Sequence, residues 1–104
     1  MIRQKAPKYY VPYVRHCVRY YLANRERPAF DNPVSQYNWE SVDKTLSQFE
    51  TQERQILEDA YRDGLTDTAV YTVSDHYGIP HTKVWVLINK FEKEVAINRG
   101  LYHS

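Results

Sequence analysis

Two glycines divide the interior of this 104-residue chain, and each ends an apolar stripe with helical spacing. Gly64 follows Ile56, Leu57, Ala60 and Tyr61; Gly78 follows Val70, Val73 and Tyr77. Apolar residues three and four apart line one side of a helix. Glycine stops a helix readily because it enters the left-handed region without a Cβ clash. Beyond Gly78, a longer stripe of Val84, Leu87, Ile88, Phe91 and Val95 predicts a last helix over 81–98, stopped by Gly100. No alternating apolar and polar run of useful length interrupts this pattern. The fold class read from the sequence is therefore all-α, with about five helices.

The earlier helices follow from the same grammar. A first helix is expected from Pro12 to Asn24, with Val14, Val18, Tyr21 and Leu22 inward and Arg15 and Arg19 outward. Residues 25–37 read as a loop, because Pro28 and Pro33 interrupt a helix and Asn32-Pro33 opens a turn. Phe30 and Val34 are the side chains expected to pin that loop to the core. Asn38 is the expected N-cap of a second helix carrying Trp39, Val42, Leu46 and Phe49. Thr51 is the expected cap of a third, with Glu53 near its positive end. A fourth begins near Thr66 or Asp67. The length is that of a single domain, in which 1–37 is the basic, tyrosine-rich part and 38–104 the remainder.

Apolar residues make up 42% and charged residues 26%, the balance of a globular protein. No apolar run approaches the roughly 20 residues of a membrane span, so no membrane partner is expected. The first five residues show basic side chains but no secretory pattern. The single cysteine, Cys17, rules out an internal disulfide, and its apolar helical neighbours imply a buried thiol. A reducing, cytoplasmic setting is the expectation. Net charge is only +1, but its distribution is uneven. Residues 1–28 hold seven basic side chains against one acidic, residues 29–78 three against ten, and residues 79–104 four against two. A basic first part and a mildly basic last helix suit phosphate contacts. The acidic middle is expected to face away from DNA, to meet a basic protein, or simply to be solvated.

Val73, Ser74, Gly78, Ile79, Val84 and Leu87 carry the residue types, at the spacing, of a helix-turn-helix that reads duplex DNA. Ile79 should pack back between the two helices, and small Ser74 should permit their close crossing. A plain helical hairpin with a glycine stop shares part of this pattern. The stretch Leu46 to Leu101 also resembles region 4 of sigma-70-type factors and the sigma-like bacteriophage regulators of the RinA and ArpU type. The matching residues are Glu53-Arg54-Gln55-Ile56-Leu57, followed by Tyr61 and Gly64, and then Gly78-Ile79-Pro80-His81-Thr82-Lys83-Val84-Trp85. The resemblance implies a transcriptional regulator that works with RNA polymerase. It leaves the first 45 residues uncovered.

Trp85 and Val86 depart from the resemblance, because a sigma-like reading helix usually presents polar residues there. With Leu87 and Ile88 they make four consecutive apolar residues. Trp85 is expected to pack inside the protein or against a second subunit of a homodimer, with contact to thymine methyl groups as the other destination. The nucleic-acid face then comprises His81, Thr82, Lys83, Asn89 and Lys90. Asn89 has the geometry for a bidentate contact to adenine, and Lys83 suits phosphate or guanine. Thr68, with Thr66 and Asp67, stands at a helix N-terminus, a common phosphate seat. The Asp67 charge opposes that role, and capping is the simpler one.

Other chemistry finds little support. His16 and Cys17 point to different faces of a helix, and His76 and His81 lack the four-residue spacing of a helical metal pair. No phosphate-cradling glycine loop or nucleophile elbow occurs. The pairs Glu58/Asp59 and Glu92/Glu94 are expected on exposed faces. No enzyme activity, metal or cofactor is therefore expected. Tyr9, Tyr10, Tyr13, Tyr20 and Tyr21 are interleaved with Lys8, Arg15 and Arg19, which suits either base stacking or coverage of a core or partner by amphipathic rings. The continuous stripe Tyr20-Tyr21-Leu22 favours coverage. Two functions follow: a DNA-binding regulator with duplex DNA as its partner, or a protein-interaction module in which Trp85, Val86 and the tyrosine-rich arm bind protein.

Overall fold

Pro33 opens a helix instead of interrupting one. In the computed structural model, which describes residues 8–26 and 28–102, helix α2 spans Pro33–Ser47. Its cap is Asn32, whose side chain accepts from the Ser35 N–H at 2.9 Å. Proline fits the first helical position because the N–H it lacks would have no partner there. The expected cap, Asn38, is buried within α2, and Val34 is exposed and pins nothing. Phe30 does hold its loop down, edge-on to Trp39 with centroids 5.7 Å apart.

The remaining helices lie close to their expected positions: α1 Val11–Ala23, α3 Thr51–Arg62, α4 Asp67–Tyr77 and α5 His81–Arg99. The α3 cap is Glu50, one residue before Thr51, in a reciprocal capping box with Glu53. Helices α3, α4 and α5 end the same way. The amide after the glycine returns to a carbonyl five residues back, Leu65 to Ala60, Ile79 to Ser74 and Leu101 to Ala96. This is a Schellman closure, which satisfies an end carbonyl and turns the following apolar residue inward. At Gly78, φ is +67°, so the closure requires a residue that tolerates the left-handed region.

Helix α5 packs on all four other helices, most extensively on α2. Along that seam the Asn98 amide donates to Thr45 Oγ1 at 2.8 Å, and Arg99 donates to Asn38 while its guanidinium covers the Tyr37 ring. The core joins Val14, Cys17, Val42, Leu57, Val70, Val84, Ile88, Phe91 and Val95. Among them lies Glu92, only 1% exposed, which corrects the expectation of a solvated carboxylate. Its Oε2 accepts from Arg15 Nε and from Tyr61 Oη, each at 2.7 Å. Arg15 therefore turns inward, whereas Arg19 is exposed as expected. An uncompensated carboxylate at this depth costs several kcal/mol, so α1, α3 and α5 meet around one satisfied acid.

Burial, with the adjacent Glu92 charge and hydrogen bond, raises the Tyr61 phenol well above its ordinary value. Burial also pushes the Cys17 thiol up to about 11, with the Arg99 charge partly opposing it. Among the described residues no helix is long and apolar enough to cross a membrane. Arg3, Lys5 and Arg27 of the basic first part lie outside the described residues.

Candidate nucleic-acid interface

The α4–α5 corner is built around Ser74. Its backbone carbonyl receives the Ile79 N–H at 3.1 Å and its hydroxyl donates to the Ile79 carbonyl, so one residue clamps the turn twice, once through its main chain and once through its side chain. Ile79 is half-buried against the core, while Val73 and Val84 are buried on the facing sides of the two helices. The small size of Ser74 is thus joined by a specific bonding role.

From this corner α5 runs outward with one face uncovered. Thr82, Lys83, Val86, Asn89 and Lys90 are all exposed. Positions 82, 86 and 89 succeed one another at helical spacing, with 83 and 90 on their flank. Lys90 reaches over the Phe49 ring, 5.7 Å from its centroid, at the junction of α2 and α3. Among the described residues neither Lys83 nor Lys90 is engaged by a carboxylate. Trp85 is half-buried and packs against the core, whereas Val86 is 66% exposed. The apolar tetrad therefore splits, with Trp85, Leu87 and Ile88 turned inward and Val86 alone outward.

His81 behaves differently from its neighbours. Its ring lies 4.5 Å from that of Tyr71 on α4, with Nε2 3.4 Å from the Tyr71 hydroxyl. Tyr71 is 53% exposed and one turn beyond Thr68, so Thr68, Tyr71 and His81 link the start of α4 to the start of α5. Tyr71 was not singled out from the sequence. Its signal was its place beside Val70 yet off the buried stripe, three residues after Thr68.

The two helix N-termini are not equivalent. Thr66 caps α4 by accepting the Ala69 N–H at 3.0 Å, and Asp67 follows in the first turn. Pro80 precedes α5 and supplies no side-chain cap, while the Pro80 carbonyl receives the Lys83 and Val84 amides. An anion approaching α5 would meet free first-turn N–H groups beside Lys83.

The acidic middle partly serves the protein's own arginines. Arg25 pairs with Glu58, and Arg62 pairs with Asp59 at 2.8 Å. Asp67 and Asp75 remain exposed on α4. Of the early tyrosines, Tyr10 and Tyr21 are buried, Tyr13 and Tyr20 half-buried, and Tyr9 exposed. Among the described residues no three His, Cys, Asp or Glu side chains gather as a metal-binding group. No protein family, curated protein or solved structure matches the chain.

Proposed function

We propose that the chain is a non-enzymatic regulator of transcription that reads duplex DNA by laying α5 in the major groove. The observation that carries this is the joint exposure of Thr82, Lys83, Val86, Asn89 and Lys90 on a helix whose opposite side is fixed in the core. A rigid helix of this kind fits the major groove, and its N-terminal half is the part that reaches base edges. Asn89 would pair with adenine and Val86 would meet a thymine methyl group. Lys83, Lys90 and the uncapped start of α5 would hold phosphates, with Thr68, Tyr71 and His81 against the flanking backbone.

The likeness of the Glu53–Leu57 and Gly78–Trp85 runs to sigma region 4 supports partnership with RNA polymerase in the cytoplasm. A homodimer would double the reading helix. Mobility shift of random duplex DNA at ~50 mM and ~200 mM salt is the test. Binding that weakens steeply with salt is expected, and no shift at the lower salt would overturn the proposal.

A second function rests on Val86 and Tyr71, two large side chains left exposed on α5 and α4. A protein partner would cover them, and it would bind without the salt dependence of a polyanion.

A further inference from the structure

A pocket of about 290 Å³ opens where the chain enters α1 and leaves α5, lined by Lys8, Tyr9, Tyr10, Lys93 and Tyr102. Two lysines and three tyrosines line it, Tyr10 from the buried side, and among the described residues no carboxylate does. The rings are held in order. Tyr9 Oη donates to the Leu101 carbonyl at 2.6 Å, tying the two ends of the described chain together. Tyr10 meets Tyr9 edge-on at 5.6 Å and lies tilted against Tyr102 at 5.4 Å, and Lys93 Nζ sits 5.5 Å from the Tyr102 centroid. Tyr9 nevertheless leaves 72% of its surface exposed. A tethered ring kept open to solvent is a ready stacking platform.

The chemistry of the walls selects a ligand with two parts. Aromatic faces are electron-rich and disfavour an anion, so negative charge belongs at Lys8 and Lys93 and a flat, uncharged π-system belongs on the rings. Inorganic phosphate would leave the rings unused, and an acidic peptide would bring no flat group to stack. We propose that this pocket seats one unpaired nucleotide of a single-stranded nucleic acid, its base on Tyr9 and its phosphate between Lys8 and Lys93. The volume is at the small end of ligand pockets, so one nucleotide fills it. Lys93 also continues the outward line of Thr82, Val86 and Asn89, about 16 Å beyond Thr82 at 1.5 Å per residue. A strand leaving a duplex on α5 therefore has a path to the pocket, although the pocket's chemistry does not require that duplex.

The test is fluorescence anisotropy of a labelled oligothymidylate of about six nucleotides at ~50 mM salt, with an abasic oligomer and an oligouridylate in parallel. Wild-type protein should bind the oligothymidylate about tenfold more tightly than the abasic oligomer, a ratio within the range of one base-stacking contact. Tyr9→Ala should abolish that preference, and Lys93→Ala should lower the magnitude of the salt slope by ~0.7. Preference for uridylate or thymidylate would tell an RNA occupant from a DNA one, and either supports the pocket. Blunt-duplex binding by Tyr9→Ala protein separates the two proposals. Loss of duplex binding by wild-type protein, with oligomer binding retained, would sink only the duplex function. Equal binding of thymidylate and abasic oligomer, or indifference to both substitutions in protein folded by circular dichroism, would overturn the pocket.

Discussion

Glu92 Oε2 accepts hydrogen bonds from Arg15 Nε and Tyr61 Oη, both at 2.7 Å, and so joins α5 to α1 and α3 inside the core. Removing one partner should do more harm than removing the network. Arg15→Met is expected to cost about 3 kcal/mol, the low end for a broken buried pair, because the Arg15 side chain is 33% exposed. Arg15→Met, Glu92→Leu and Tyr61→Phe together should return stability to within about 1–2 kcal/mol of wild type. Urea denaturation measures both. A triple variant no more stable than Arg15→Met would mean that the carboxylate is not the source of the loss.

Stability should decline in alkali. Burial raises Cys17 from 9.0 to about 11. Burial, followed by the Asp43 hydrogen bond, raises Tyr21 from 10.0 to about 12, and burial and Glu92 raise Tyr61 well above its ordinary value. Groups whose folded values are raised stabilise the protein fully below their unfolded values, and that contribution is lost as pH rises through the folded ones. The denaturation midpoint should therefore begin to fall near pH 9 and continue through about pH 12. A midpoint constant from pH 9 to 11 would contradict the burial of these groups.

Gly78 is needed for its backbone, not for space. A Cβ there would meet nothing within 4 Å, yet φ is +67°. Gly78→Val should cost about 1–3 kcal/mol, and Gly78→Asn much less, because asparagine visits the left-handed region. Equal melting temperatures for Gly78→Val and wild type would remove the helix stop on which the corner depends.

Trp85 and Val86 are neighbours with opposite expectations. Trp85 is half-buried against the core, so Trp85→Ala should cost about 2–3 kcal/mol by area. Val86→Ala should change stability by less than about 0.5 kcal/mol. In a Trp39→Phe background, duplex DNA should leave the Trp85 emission little quenched. Strong quenching, with no effect of Trp85→Ala on stability, would place the indole outside the core.

The helices were legible where apolar spacing and glycine stops agreed, which is why α4, the turn at Gly78 and α5 matched expectation closely. The start of α2 departs from the sequence expectation because a proline that breaks a helix interior also fits the first helical position, where Pro33 stands behind its Asn32 cap. Glu92 departs from it for a different reason. A glutamate is ordinarily solvated, but position 92 falls four residues after Ile88 and three before Val95, on the buried stripe itself. Spacing carried that signal, while the partners Arg15 and Tyr61 come from 77 and 31 residues away. The outward face of α5 was largely anticipated. Tyr71 was not, because its contact with His81 exists only once α4 folds back on α5.

The most direct measurement is the salt dependence of random-duplex affinity for wild type, Lys83→Ala and Lys90→Ala, read by anisotropy between ~50 and ~200 mM salt. If α5 lies in the major groove with these lysines on phosphates, each substitution weakens all duplexes alike and lowers the magnitude of the slope by roughly one unit. Slopes and affinities identical to wild type in both variants would contradict DNA binding through α5.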